Sequence, residues 1–374
     1  MKTLTVLFFF HCCAIVLGLI GLLVMLPHPQ IWDETASGIA VFNFNMKYMS
    51  SLYILLGAAI MLLYGLRFVG VGKTLIFFGA STLISLSLEL LGTSTGFPFG
   101  PYAYTNLLGF KILGHVPYAI PLSWFYMGFT SYLLASLLVV RGDWRRQTLW
   151  SLLLGAAFLT VWDLSLDPSM ASPHLSVQFW TWYTGGLYFG MPIRNLVGWS
   201  ITGLLFMSIS RLLWRGNVDT RRLVAWLPCG VYAANTCFAI ALTLGAGIWQ
   251  PSLLALLLGL LPAALVLLLG RRGAESAGHL SLSRRISHLV VRRGSAAIVR
   301  RHITSEIIGA ENIPQDGPVM IVARHFHHLY DGCLLLQATS RRLHLLVALD
   351  WVRHPLWRRV IEHLCKAVDW PIML

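Results

Sequence analysis

Charge is what this chain has least of. Asp, Glu, Lys and Arg make up 11% of its 374 residues, against about 25% in soluble domains. Hydrophobic residues make up 56%, and mean hydropathy is +0.69. That balance excludes an ordinary soluble domain and leaves a polytopic membrane protein. Carboxylates are scarcest, 15 in all, so any that fall inside apolar runs stand out. There is no CxxC pair, no GxGxxG turn and no P-loop, so the signatures of dithiol, dinucleotide and nucleoside-triphosphate sites are missing. The six cysteines (Cys12, Cys13, Cys229, Cys237, Cys333, Cys365) show no metal-ligand spacing. Those in apolar segments read as small core residues, and no metal or cofactor is expected. Internal repeats and low-complexity tracts are also absent.

What is present is a series of apolar runs. A helix needs about 20 apolar residues to span a bilayer, and eight runs qualify: 4–26, 48–66, 72–91, 118–140, 148–166, 188–210, 222–246 and 250–269. The first is too long for a signal-peptide core and no A-x-A site follows it, so it reads as a retained helix. The predicted fold class is an all-α polytopic membrane protein of about eight transmembrane helices. Its predicted domains are a transmembrane domain (1–270), a basic amphipathic linker (271–303) and a partial α/β segment (304–374).

Loop charge orients the bundle. Lys2, Arg67 and Lys73, the RGDWRR stretch at 141–146, Arg211, Arg215, Arg221 and Arg222, and Arg271 and Arg272 all fall on one side. The alternate connections (27–47, 92–117, 167–187, 247–249) are poor in Lys and Arg and include Asp33, Glu34 and Asp167. Both termini are therefore expected in the cytoplasm of a cell with the chain in its inner (plasma) membrane. The net charge is +13, and residues 271–301 hold eight Arg against one Glu. That stretch reads as an interfacial helix on anionic lipid, with a solvated linker as the plain alternative. Nucleic acid is not expected as a partner, since no recognisable binding module accompanies the charge.

Three constellations could carry chemistry. Asp163 and Asp167 in TVWDLSLDPSM (160–170) are four apart, hence on one helical face, with Pro168 expected to break the helix. Glu89 in SLSLELLG has no basic residue within a turn. A lone carboxyl in apolar surroundings is cheapest to bury as the neutral acid, the state a general acid needs. The loops after these residues, 92–117 and 167–187, open on the same side, so the three carboxyls share a membrane level and could converge. The third constellation is WTWYTGGLYFGMPIRNLVGW (180–199), dense in aromatics. Arg194 there needs a partner, for which an Asp on the fifth helix is the obvious choice, and Asn195 is beside it. The plain readings are helix–helix hydrogen bonds for the carboxyls and an interfacial aromatic belt for the rings. Together the parts suit protonation of an electron-rich alkene, stabilisation of the cation by π-faces and placement of a water by a carboxylate. They would equally serve an isomerase or a cyclase.

The blocks TGFPFGPYAYTNLLG, GHVPYAIPLSWFYMGFTSY, WDLSLDPSM and WTWYTGGLYFGMPIRNLVGW resemble the carotenoid biosynthesis membrane family that includes the bisanhydrobacterioruberin/γ-carotene 1′,2′-hydratases, over roughly residues 40–270. The resemblance implies cofactor-independent addition of water to the terminal isopropylidene double bond of an acyclic carotenoid end. A carotenoid substrate, membrane lipid and other enzymes of the same pathway are then the expected partners. Laid onto these motifs, the physical candidates are Glu89, Asp163 and Asp167 for catalysis. Tyr102, Tyr104, Trp124, Trp180, Trp182, Arg194 and Asn195 are the candidates for binding. A non-enzymatic carotenoid-binding protein is the alternative reading.

GAENIPQDGPVMIVARHFHHLYDG (309–332) resembles the opening of a phospholipid/glycerol acyltransferase domain, with VMIVA (319–323) as a buried strand. In that family a His and an Asp separated by four residues activate the acceptor hydroxyl. Here five residues separate His325 from Asp331 and three separate His327 from Asp331, and no later phosphate-binding motif follows. A truncated or vestigial segment is expected, with a membrane-bound acyltransferase as the rival function.

The orientation is directly testable in a cysteine-free background. A cysteine at His174→Cys should react with an impermeant maleimide on intact cells, and one at Thr220→Cys only after permeabilisation. The reverse pattern would invert the topology.

Overall fold

The computed structural model describes residues 1–139, 144–214, 216–273, 282–314, 317, 319–324, 326–327, 330–339, 341, 343–349, 352, 354–368 and 370–373. The chain divides into two compact units, Met1–Leu268 and Leu269–Leu374.

In the first unit every predicted apolar run is helical. α1 (Lys2–Ile20) continues through a π-helical turn to Met25. It is followed by α2 (Ala36–Phe68) and α3 (Val71–Thr95). Short strands β1 (Tyr102–Tyr104), β2 (Lys111–Ile112) and β3 (Val116–Pro117) lead into α4 (Ala119–Leu138) and α5 (Trp144–Met170). β4 (Trp180–Trp182) precedes α6 (Ile193–Leu213) and α7 (Trp226–Gly245). The last run is made of α8 (Gln250–Leu254), a π-helical stretch and α9 (Leu261–Gly273).

Seven helical segments among the described residues are long and apolar enough to cross a membrane, against the eight that the apolar runs predict. The difference is α4, and its position explains it. Eighteen of its 20 residues are buried, and it packs against α2, α3, α5 and α7. A helix surrounded by protein needs no lipid-facing surface, and α4 carries Ser123, Trp124, Tyr126, Thr130, Ser131 and Tyr132 instead. α2 also departs from expectation, because part of the predicted 27–47 connection is helix. Thr35 Oγ1 caps it by accepting from the Gly38 N–H at 3.0 Å. Its 33 residues span about 50 Å, so α2 extends past a hydrocarbon core of about 30 Å.

Pro168 does not break α5, which runs on to Met170. Proline removes the N–H that the carbonyl four residues earlier would receive, here that of Leu164. The Tyr188 hydroxyl donates to that carbonyl at 3.1 Å, so a side chain from the next loop replaces the missing backbone donor. Tyr188 is held by a tight turn, with bridges Gly186↔Gly190 and Tyr188↔Met191. A Cβ on Gly186 would fall 1.9 Å from the Met191 carbonyl carbon, so only glycine fits there.

In the second unit α10 (Leu282–His302) packs on α11 (Tyr330–Ala338) and α12 (Pro355–Val368). β5 (Val347–Ala348) pairs in parallel with β6 (Ile372–Met373). The basic stretch is thus helical from Leu282, and its apolar side, including Leu289 and Val299, is buried. The VMIVA run is not a buried strand. Its described residues have no regular secondary structure, and Met320 and Val322 are 87% and 83% exposed. No strand pairs with it among the described residues, so burial and a ladder, which an apolar run needs to become a core strand, are both missing.

Tyr188→Phe should leave the Leu164 carbonyl unsatisfied at a cost of about 1–3 kcal/mol and lower the thermal midpoint in detergent. Tyr183→Phe, on a residue 68% exposed, is the control and should not.

Candidate active site

The two loops predicted to share one side of the membrane are hydrogen-bonded to each other. β1 pairs antiparallel with β4 in the register Tyr102↔Trp182, Ala103↔Thr181 and Tyr104↔Trp180. Thr105 extends the pairing, donating both its backbone N–H and its hydroxyl to the Phe179 carbonyl, at 2.9 and 3.1 Å. The resulting two-stranded lid is aromatic on its buried face. Tyr102 lies 5.2 Å from Trp182, Tyr104 lies 5.8 Å from Trp180, and Phe99 meets Tyr102 edge-on at 6.3 Å. Phe99 gets in because Gly198 leaves room, where a Cβ would fall 2.6 Å from its ring.

Beneath the lid lies Glu89, buried two turns from the end of α3. Three donors converge on its carboxyl. Tyr102 and Tyr104 donate their hydroxyls to Oε2, the latter at 2.8 Å, and the Trp124 indole donates to Oε1 at 2.9 Å. α3, α4 and the lid are thereby tied at one point. Burial, and then the adjacent Glu89 carboxyl, hold the Tyr102 and Tyr104 hydroxyls above the usual phenol range, so both remain protonated donors. Trp124 in turn stacks on Trp199 at 3.9 Å, and Trp162 meets Trp199 edge-on at 5.9 Å.

Asp163 and Asp167 occupy the last two turns of α5, both buried. Asn195, in the first turn of α6, donates its amide to Oδ2 of both, at 3.2 Å to Asp163. Both carboxyls thus meet the one Asn195 amide from the same face of α5. Trp199, on the helix that carries Asn195, and Trp162, next to Asp163 on α5, extend the aromatic contacts of Trp124 from the Glu89 shell toward the aspartates.

Arg194 is not the aspartates' partner. It is exposed, and no ion pair joins it to Asp163 or Asp167 among the described residues. Adjacent helical residues point about 100° apart, and it is Asn195 that faces α5. Trp182 is half-buried, with an indole N–H that has no acceptor among the described residues. Trp199 and Phe99 belong to the wall but are not among the predicted site residues. Glycine at 198 and the WTW…GW aromatic run were the available signals.

The same unit holds a small apolar cavity of about 20 Å³, room for about one water. Met46, Met49 and Tyr53 of α2, Phe238 of α7, Leu108 and Phe179 of the lid loops, and Met170 contribute to its lining. Met170 is one turn beyond Asp167 on the same side of α5. The site thus joins buried acids, π-faces and an apolar hollow.

In the second unit His325 lies outside the described residues. Asp331 accepts the backbone N–H groups of Phe326 and His327, the latter at 2.7 Å, at the start of α11. His327 Nδ1 accepts from the Tyr330 N–H at 3.3 Å.

Comparison with known proteins places these features. A family model described as "Carotenoid biosynthesis protein" matches residues 49–262, a stretch that includes Glu89, Asp163 and Asp167 and ends before the second unit; no comparison bears out the expected acyltransferase resemblance of residues 304–374. A bisanhydrobacterioruberin hydratase of Haloarcula japonica is 33% identical over 186 residues, which is 48% of this chain and 59% of that protein. The match spans about three fifths of that relative's length. No solved structure matches the chain.

Replacing Glu89 with leucine would strand three buried donors at about 1–3 kcal/mol each. Glu89→Leu should lower the thermal midpoint well below that of Glu89→Gln, which keeps an acceptor oxygen. Equal midpoints would mean that the three hydrogen bonds do not hold the lid.

Proposed function

Since the chain belongs to the carotenoid biosynthesis protein family, we propose that this multi-pass membrane protein is a carotenoid 1′,2′-hydratase. It adds water across the terminal isopropylidene double bond of an acyclic end, giving a tertiary alcohol. The observation that carries the proposal is the pair of buried acid sites, Glu89 under an aromatic lid and Asp163 with Asp167 on one Asn195 amide, joined through the Trp124–Trp199–Trp162 rings. Hydration of a trisubstituted alkene needs a proton donor, a surface that tolerates a transient tertiary cation, and a restrained water. Carboxyls within reach of Tyr102, Tyr104, Trp124 and Trp199 can supply the first two, and a carboxylate oxygen can restrain the water. The named activity of the Haloarcula japonica relative supports the same reaction class.

The apolar cavity marks a place where the body of the ligand would enter by widening it. Its lining of Met, Leu, Phe and Tyr can exchange lipid contact for protein contact with little desolvation cost. One of its lining residues, Met170, is a turn beyond Asp167 on α5, which sets the direction a reactive end would take toward the acid. The loop charges favour an orientation with this end of the bundle on the non-cytoplasmic side and both termini in the cytoplasm of the inner membrane.

Expression in a host that makes lycopene or γ-carotene tests the reaction. A product heavier by one water is expected, lost on single replacement of Asp163 or Asp167 by Asn. Unchanged pigment, whether co-purified or free, would reject the hydratase and leave a binding protein.

A further inference from the structure

We infer that the proton donor is the Asp163–Asp167 pair sharing one proton, and that Glu89 is a positioning residue that latches the lid. The inference rests on the hydratase reading and divides labour among its carboxyls.

Each oxygen of Glu89 already accepts at least one hydrogen bond, and Oε2 accepts two. One donor, the Trp124 indole, has no capacity to accept in return. Glu89 therefore faces a shell of protein donors whose positions it sets. The aspartates differ. Asn195 supplies one amide to the Oδ2 atoms of both. Asp163 Oδ1 is buried and receives nothing from any donor among the described residues, and one Asn195 nitrogen contacts both Oδ2 atoms, so the two carboxyls meet a single amide on one face of α5. Two carboxylates so placed repel, and a buried like-charged pair favours holding one proton between them. The pair thus stores a transferable proton. After transfer, the Asn195 amide and the N-terminal turn of α6 face the anion that remains, and both favour negative charge.

The step balances. The shared proton goes to the alkene carbon that bears one hydrogen, and the π pair forms the new C–H bond. The dimethyl-substituted carbon becomes cationic. A water oxygen forms the C–O bond, and its surplus proton returns to the aspartate pair. The net change is addition of one water, with the pair restored.

The test is turnover of lycopene in detergent by the full-length chain in D₂O, reading deuterium on the carbon next to the new alcohol and in recovered substrate. Asp163→Asn and Asp167→Asn should each lose deuterium incorporation by at least about 100-fold, the contribution of a general acid. Glu89→Gln should keep it within about 10-fold while raising KM more than it lowers kcat. Loss of deuterium in folded Glu89→Gln, or its retention in either aspartate variant, would overturn the assignment. Should Glu89→Gln fail to fold, Tyr102→Phe/Tyr104→Phe strips two donors from Glu89 and leaves the aspartates intact. Retained incorporation there supports the assignment, and loss overturns it. A wild-type chain that neither exchanges deuterium nor forms alcohol removes the hydratase reading itself, and this assignment with it.

Discussion

A carboxyl buried among apolar helices must be surrounded by donors, and much of the first unit is arranged to meet that requirement. Desolvating such a group without partners costs several kcal/mol or more. Glu89 meets the cost with an indole from α4 and two phenols from the strand after α3. Asp163 and Asp167 share an amide from α6. Because these donors come from different elements, each carboxyl also acts as a clamp. Glu89 joins α3, α4 and β1. The aspartates join α5 to α6. β1 then pairs with β4, which links the two clamps through the lid. The residues that satisfy the acids are in this way the residues that close the site.

The same rule shapes other parts of the bundle, where no water is at hand to satisfy a stray polar group, although the buried hydroxyls of Thr130, Ser131, Thr202, Thr236 and Ser252 have no partner among the described residues. His11 of α1 is fully buried, with Nδ1 2.8 Å from the Tyr53 carbonyl and Nε2 3.0 Å from the Asn235 amide; the Asn235 carbonyl accepts the Tyr126 hydroxyl at 2.7 Å. That chain runs through α1, α2, α7 and α4. Ser81, Ser136 and Ser210 each return their hydroxyl to the carbonyl four residues back. Tyr188 repairs the gap left by Pro168. Buried polar networks of this kind specify one packing, since partial satisfaction is costlier than none. A site that must hold three acids at fixed spacing needs that rigidity.

Much of this was legible in the sequence because it depends on composition and coarse spacing. Long apolar runs can only be helices in lipid. Loop charge put residues 92–117 and 167–187 on one side, and the scarcity of carboxylates singled out Glu89, Asp163 and Asp167. What stayed hidden depends on phase and on partners distant in sequence. Arg194 and Asn195 are adjacent letters, but only the rotation of α6 decides which one meets α5. The strand register that brings Tyr102 and Tyr104 over Glu89 is a pairing across about 80 residues, and no local signal encodes it. Pro168 reads as a helix breaker until Tyr188 is known to cap Leu164. VMIVA has the composition of a core strand and lacks the neighbour that would make it one.

The two environments of the site are more informative together than apart. A buried acid cluster alone is a common structural device, and an apolar cavity alone is common between helices. Here the cavity contains Met170 from α5, one turn past Asp167, and Leu108 and Phe179 from the loops that form the lid. These lining residues connect the hollow to the lid loops and to α5, the helix that carries both aspartates. Asp163 and Asp167 are neighbours on one helical face, and one Asn195 amide donates to both, so α5 and α6 cannot shift against each other without breaking the hydrogen bonds that satisfy both acids.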